Sequence, residues 1–121
     1  MPAKNPRSEK PATRQASASM ADPEAIMAAA NRYIVGHYPF GCLGNLPRHL
    51  TLGSREMRII SVQLTSPGYG AVGDVGVVAL DGRTEQVVGS TPREEVAAAV
   101  QRLREEKHDE LEAAFRRART V

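Results

Sequence analysis

The sequence predicts an α+β fold in which a small antiparallel sheet of three or four strands lies between an N-terminal helix and a long C-terminal helix. β-Branched residues are concentrated in short runs between positions 56 and 89, and turn residues separate these runs. One helix start, Asp22-Pro23, precedes this stretch and a second, Thr91-Pro92, follows it. We expect both helices to cover the same face of the sheet.

The distribution of charge divides the 121-residue chain into two parts. Residues 1–19 hold four basic side chains and one acidic side chain, a net charge of +3, so the overall +2 leaves residues 20–121 at −1. The first part is rich in Pro, Ser and Lys, and such a composition cannot offset the entropy of ordering. We therefore expect a disordered basic tail over 1–19 and a single domain over 20–121. Translation from Met20 is an alternative that would remove the tail.

Composition also argues against several classes of protein. A single cysteine, Cys42, excludes an internal disulfide. No apolar run approaches the roughly 18 residues of a membrane span, and the first twenty residues lack the apolar middle of a secretory signal. We therefore expect a cytoplasmic protein that does not bind membranes. The near-neutral charge of residues 20–121 gives little support to nucleic-acid binding, which depends on Lys and Arg to neutralise phosphates.

The first helix has a clear start and a clear apolar face. Asp22 is a suitable N-cap, Pro23 fits the first turn, and Glu24 complements the positive end of the helix dipole. Gly36 is the predicted stop. We expect the apolar face to cover the sheet rather than bind a partner; its residues are Ile26, Ala29, Ala30, Tyr33 and Ile34.

The stretch from 36 to 55 is predicted to be an ordered but irregular connection, because it holds two prolines and four glycines. A short strand from His49 to Leu52 could form a hairpin with the next strand through Gly53-Ser54. A long connection inside a compact domain is uncommon and often functional. We therefore predict that this stretch contacts a partner, with Tyr38 and Phe40 as contact residues.

The next strand, Glu56 to Thr65, alternates between apolar and polar residues. Ile60, Val62 and Leu64 occupy one face, which we expect to be buried, and the opposite face is more polar. The chain is then expected to turn from Pro67 to Gly73.

A strand that is apolar on both faces follows, from Val75 to Leu80, which predicts a central position in the sheet. Asp81-Gly82 is a strong hairpin signal, and Glu85 to Gly89 should return as the partner strand.

The last helix is predicted to run from 92 to 119. Thr91-Pro92-Arg93-Glu94 matches a capping box with proline in the first turn. At 1.5 Å per residue this helix would be about 40 Å long, which exceeds what a sheet of short strands can cover. The half after Glu105 should therefore project from the domain, fold back after a break near Lys107-His108, or pack on a partner.

Two patterns suggest cofactor or metal chemistry, and we interpret both as structural. Gly68 to Gly73 matches the dinucleotide-binding pattern G-x-G-x-x-G, but that site needs a helix after the glycines, whereas a strand is predicted here. His37, Cys42 and His49 could meet around zinc or form a thiol–imidazole pair, but their spacing fits no compact ligand motif. We therefore expect no cofactor, no metal site and no catalytic residues.

The charges of the last helix are sorted along its length. Five acidic residues between 105 and 112 precede Arg116, Arg117 and Arg119, as expected for a solvated helix with charges matched to its dipole. An alternative is that the three arginines dock on an acidic partner or on nucleic acid. The apolar residues predicted to contact a partner on this helix are Leu111 and Phe115.

The order of a helix, a strand and a hairpin that reads Val-Val-Ala-Leu-Asp-Gly-Arg-Thr-Glu-Gln-Val-Val resembles the PepSY-type module over residues 22–89. In that module a helix precedes a strand and a hairpin whose turn reads Asp-x-x-Thr-Gly-Glu-Val. The resemblance implies a non-catalytic binding or inhibitory domain.

Together these patterns favour a non-enzymatic protein-binding or accessory subunit that contacts another protein, or a second copy of itself, through the 36–55 stretch and the last helix. One alternative is an antitoxin-like or nucleic-acid-linked regulator that uses the basic tail. Another is a thiol-dependent enzyme built on Cys42 with His37 or His49.

Overall fold

The computed structural model describes residues 21–119, so the tail predicted over 1–19 lies outside the described residues. Within residues 21–119, three helices and five strands confirm the predicted α+β class. In chain order the elements are α1 (Pro23–His37), β1 (Cys42–Gly44), β2 (Arg48–Leu52), β3 (Arg55–Ser66), β4 (Gly70–Asp81), β5 (Val87–Ser90), α2 (Arg93–Glu106) and α3 (His108–Arg119).

The sheet is antiparallel and four strands wide. The long strands β3 and β4 form its centre, and β5 pairs with the outer edge of β4. The short strands β1 and β2 share the other edge of β3: β2 pairs with its first half and β1 with its second half. The hairpin through Gly53-Ser54 joins β2 to β3, as predicted, and β4 has the predicted central position.

One face of the sheet packs on both α1 and α2, which confirms the predicted one-sided arrangement. The predicted apolar face of β3 is buried, with Ile60, Val62 and Leu64 at most 1% exposed. The helix residues that share this core are Ile26, Ala29, Ala30 and Ile34 of α1 and Val96, Ala99 and Val100 of α2.

Two irregularities in β4 place extra valines in this core. The register with β3 skips Val72 between Ala71 and Gly73, and skips Val75 between Asp74 and Gly76. Each skipped residue is a β-bulge, which breaks the strict alternation of faces. As a result Val72 and Val75 are both buried, although simple alternation from Val78 would place Val75 on the opposite face.

Both predicted helix starts exist, but only the first is capped by its side chain. The Asp22 carboxylate accepts a hydrogen bond from the amide of Glu24, as an N-cap should. At α2, Pro92 is the N-cap and no side chain caps the helix, so the predicted capping box is wrong. The Thr91 hydroxyl instead accepts a hydrogen bond from the amide of Val77, which ties the helix entry to β4.

Both helix ends differ from prediction, and the residue at each end contacts another part of the fold through its side chain: Tyr38 bonds to Thr91 and Lys107 to Tyr69. Helix α1 continues through Gly36 to His37 and ends at Tyr38 in an extended conformation, so no left-handed glycine terminates it. The single helix predicted over 92–119 is broken at Lys107. Folding back at this break was one of the three predicted outcomes, and it brings Leu111 against the core and buries Ala114 completely.

Three of the predicted connecting segments also differ from the structure. The turn after β3 is shorter than predicted, because β4 begins at Gly70 rather than after Gly73. The 36–55 stretch contains β1 as well as β2, and β1 was not predicted. The returning strand β5 starts at Val87 instead of Glu85, which lies in the turn with a positive φ of 67°.

Candidate functional site

An apolar groove of about 430 Å³ opens at the edge of the sheet where α1 ends and β1 begins. The exposed side chain of Phe40 forms part of its wall. Its lining residues come from the end of α1, the following loop, β1 and the end of β3; they are Val35, Tyr38, Pro39, Phe40, Gly41, Cys42, Leu43, Thr65 and Pro67.

The backbone of the loop that bears Phe40 is held at several points. Gly41, with φ of 97°, accepts at its carbonyl from both the amide and the hydroxyl of Thr65, at 2.8 and 2.9 Å. The guanidinium of Arg104 on α2 donates to the Phe40 carbonyl at 3.0 Å. These bonds hold the backbone in place while the Phe40 side chain is 95% exposed. The structure thus presents a large aromatic side chain on an anchored loop.

Tyr38, a predicted contact residue, lines the groove but is itself buried. Its side chain is buried, its hydroxyl donates to the Thr91 carbonyl at 2.7 Å, and its ring meets that of Tyr33 edge to face. Burial raises the pKa of the Tyr38 hydroxyl, which therefore stays protonated and able to donate at neutral pH. The ring of Tyr38 lines the groove, but most of its surface is already used in the fold.

Exposed apolar side chains are concentrated in one segment of the chain, which includes part of this groove. Of the ten large apolar residues that are strongly exposed in the described chain, six lie between positions 35 and 52. They are Val35, Phe40, Leu43, Leu46, Leu50 and Leu52. In addition, residues 25–55 contain no Asp or Glu at all. This segment therefore combines apolar exposure with an absence of negative charge. Val35, Phe40 and Leu43 line the groove, whereas Leu50 and Leu52 lie on β2 beside the first half of β3.

Cys42 lies at the floor of the groove, where it is 4% exposed. Burial raises the pKa of its thiol, and the charge of Arg104 only partly opposes this effect. A thiol with a raised pKa is a weak nucleophile at neutral pH, because the thiolate is the reactive form.

The two histidines proposed to act with Cys42 make hydrogen bonds with other groups. His37 donates from Nδ1 to the Tyr33 carbonyl and stacks on the Tyr33 ring. His49 on β2 bonds to the carboxylate of Glu56, which also accepts from Thr51. Within residues 21–119 no group of three or more His, Cys, Asp or Glu side chains is arranged to hold a metal ion.

The glycine-rich stretch Gly68–Gly73 forms the turn between β3 and β4 and the first residues of β4. Gly68 and Gly70 both have positive φ, and a strand follows directly, as predicted. The helix N-terminus that would hold a dinucleotide pyrophosphate therefore does not follow these glycines.

The predicted contact residues of the last helix have unequal positions on α3. Leu111 is half-buried against the core, whereas Phe115 is 43% exposed. The guanidinium of Arg116 pairs with Glu112 at 3.2 Å, and that of Arg119 lies 5.6 Å from the centre of the Phe115 ring. Arg117 lies between them on the same exposed helix. Their contact with a partner stays a prediction.

The sequence analysis selected the 36–55 stretch, Tyr38 and Phe40, of which both residues line the groove, but it did not select the exposed Val35, Leu50 and Leu52. Val35 follows the buried Ile34 and lies outside the apolar face of α1. An apolar residue outside that face is expected to be exposed, so the sequence could have indicated Val35. Leu50 and Leu52 alternate with polar residues on β2. Because β2 is short, the alternation of apolar and polar residues along it could not show whether Leu50 and Leu52 lie on the covered or the open face of the sheet.

No helix in the part of the chain that the structure describes is both long and apolar enough to span a membrane. Comparisons of the whole chain with protein-family models, with curated proteins and with solved structures found no match.

Proposed function

We propose that this chain is a non-enzymatic accessory subunit that binds another protein through the groove beside Phe40. The observation that carries the proposal is the position of Phe40, whose side chain is almost fully exposed on a loop anchored by Thr65 and Arg104. Aromatic side chains on rigid backbone are typical energetic centres of protein interfaces, since they bury a large area and lose little conformational entropy.

The size and lining of the groove suit an apolar anchor from the partner. A volume of about 430 Å³ accommodates one or two large side chains. The polar groups that line it are directed into the fold, because the Tyr38 hydroxyl donates to Thr91 and the Thr65 hydroxyl to Gly41. Burial of one aliphatic or aromatic partner side chain there would contribute about 1.5–3 kcal/mol.

Charge favours a partner with a neutral or acidic contact surface. No acidic residue occurs from 25 to 55, and Arg104 lies at the groove with one bond to the Phe40 carbonyl. An arginine has five N–H donors, so Arg104 could also bind a partner carboxylate.

The chemistry of the groove supports binding rather than catalysis. Its titratable groups are Cys42 and Tyr38, and burial raises the pKa of both, which keeps both protonated at neutral pH. Neither His37 nor His49 lines the groove. A nucleophile activated by a neighbouring base, as thiol enzymes require, is therefore not supported by this arrangement. The PepSY-like pattern of residues 22–89 favours the same class of non-catalytic binding module.

The experiment places a photo-crosslinking phenylalanine analogue at position 40 of the full chain in the source cells. A matched variant carries the analogue at position 115, the exposed phenylalanine on α3. We expect a discrete protein adduct from position 40. An adduct from position 115 alone would move the contact to α3, and the absence of adducts from both positions would contradict the proposal.

Affinity for the identified partner then tests the energetics. Phe40→Ser should weaken binding about 30-fold, corresponding to about 2 kcal/mol, because it removes the exposed centre of the contact. Its thermal unfolding should match that of the unchanged chain, since the Phe40 side chain makes little contact with the fold. Phe115→Ser separates this contact from the one predicted on α3, and it should bind normally when the groove alone contacts the partner.

A further inference from the structure

The face of the sheet that is turned away from the helices carries a second apolar surface. The register pairs Leu50 with Met57, Leu52 with Arg55, and Ile59 with Ala79. Ile60 and Val78 are paired and buried under the helices, so their neighbours Ile59, Ala79 and Val77 point to the opposite side. We name this surface the sheet-face patch; it comprises Leu50, Leu52, Met57, Ile59, Val77 and Ala79.

The sheet-face patch is open to solvent. Leu50, Leu52 and Val77 are 40%, 54% and 43% exposed, and the other three members are partly exposed. Within residues 21–119, helices α1 and α2 pack on the opposite face, and α3 packs at the turn between β3 and β4. Monomeric proteins rarely leave a contiguous apolar patch of this kind uncovered.

The area of this face is sufficient for a dimer. Strands β2 to β5, without the groove strand β1, hold 33 residues. At about 3.3 Å along a strand and about 4.8 Å between strands, they span on the order of 520 Å². Two copies stacked over this whole area would remove about 1,040 Å² from water, which matches the roughly 1,000 Å² expected of a specific interface.

The charges on this face are compatible with a second copy of the same surface. Arg48 and Arg55 lie on it together with Asp74 and Asp81, so its formal charge is zero. Arg55 already pairs with Asp81, and Gln63 donates to Asp74. A stacked copy would therefore meet no excess of like charge.

We infer that two copies of this chain associate sheet to sheet through the sheet-face patch. The two sheets stack about 10 Å apart around a two-fold axis that brings one patch onto the other. The groove beside Phe40 lies at the sheet edge, so it stays accessible to a different protein in this dimer.

The test is the mass of the full chain in solution, measured by light scattering and sedimentation over a range of concentrations. The chain should have about twice its monomer mass of 13.1 kDa. Val77→Glu places one carboxylate per copy within the patch and should weaken dimerisation about 100-fold or more. Val77→Ile should remain dimeric, because it keeps the shape and polarity of the site.

Two further variants keep the inference open to refutation. Leu52→Lys replaces Val77→Glu if the latter fails to fold, since Leu52 is more exposed and lies near a hairpin. Phe40→Ser should leave the dimer intact. A single-chain mass at all concentrations overturns the inference, and so does a dimer that Phe40→Ser breaks but Val77→Glu and Leu52→Lys do not. Neither result bears on whether another protein binds at Phe40.

Discussion

The two faces of the sheet differ in what covers them, although they are built from the same strands. Ile60 on β3 is fully buried under the helices, whereas Ile59, its neighbour in the chain, points to the open face and is only partly buried. Apolar residues of α1 and α2 pack on the helix-covered face and form one hydrophobic core with it. The open face mixes apolar residues with two arginines and two aspartates, and Gln63 donates a hydrogen bond to one of these aspartates, Asp74.

This difference is the basis of our proposal that stability and binding use separate surfaces of one small sheet. The covered face supplies the hydrophobic energy that holds the fold. The open face and the edge beside Phe40 keep apolar area that contributes little to folding. That remaining area is where we expect other chains to bind.

The largest effect should come from the pair of isoleucines that define the two faces. Ile60→Ala should lower the free energy of unfolding by about 3–4 kcal/mol, because it removes apolar contacts and leaves a cavity in the core. Ile59→Ala should lower it by about 1 kcal/mol, since the Ile59 side chain is already partly in water. Urea unfolding at a dilution where the chain is monomeric measures both values. Equal losses would show that the two faces are buried alike.

A smaller effect should come from the glycines of the turn between β3 and β4. Gly68 and Gly70 both have positive φ, of 77° and 90°. A Cβ at Gly68 would lie 2.4 Å from the Ala114 carbonyl oxygen of α3, whereas a Cβ at Gly70 would meet nothing within 4 Å. Gly68→Ala should therefore cost about 2–3 kcal/mol and Gly70→Ala about 1 kcal/mol, because only the first adds a clash to the backbone strain.

Thermal unfolding of the two glycine variants separates these contributions. The difference between them reports how firmly α3 packs on the turn. If both variants lose the same stability, α3 moves away at little cost and does not belong to the helix-covered core.

The smallest effect is expected at Asp81, where β4 ends at the β4–β5 turn. The amides of Arg83 and Thr84 donate to its carboxylate at 2.8 and 3.0 Å, and they hold the pKa of Asp81 below its ordinary value. Because the folded-state pKa is lowered, the stabilisation is present above the ordinary pKa of aspartate and is lost as the pH falls through the folded value. Asp81→Asn should flatten this acid dependence slightly.

Unfolding temperatures of the Asp81→Asn variant and the unchanged chain, measured from neutral pH into the acidic range, test this expectation. The two curves should be furthest apart at neutral pH and should converge as the carboxylate becomes protonated. Parallel curves would mean that the turn amides do not favour the charged form.

Local sequence signals predicted much of the fold because they depend on neighbouring residues. Asp22 caps α1, Gly53-Ser54 closes the β2–β3 hairpin, and the alternation through Ile60, Val62 and Leu64 gives the buried face of β3. The errors arose where distant residues compete for the same groups. Thr91 was expected to cap α2, but the amide of Val77 on β4 takes its hydroxyl.

The candidate site was predicted only in part, for the same reason. The glycine- and proline-rich composition of residues 36–55 indicated an irregular and potentially functional segment. Composition could not indicate that Tyr38 turns inward to Thr91 while Phe40 turns outward, since that choice depends on contacts with β3 and α2. The sheet-face patch could not be predicted from the sequence either, because its residues lie on three strands and only the strand register brings them together.

The sequence by itself determined the α+β class, the start of each main helix, the β2–β3 hairpin turn and the residues of β3 that are buried. These features follow from side-chain periodicity and backbone preferences, which act over a few residues. The tertiary structure decided the break at Lys107, the bulges that bury Val72 and Val75, and which apolar residues stay exposed. Those outcomes depend on how far each helix extends over the sheet, and burial is settled only when distant segments meet.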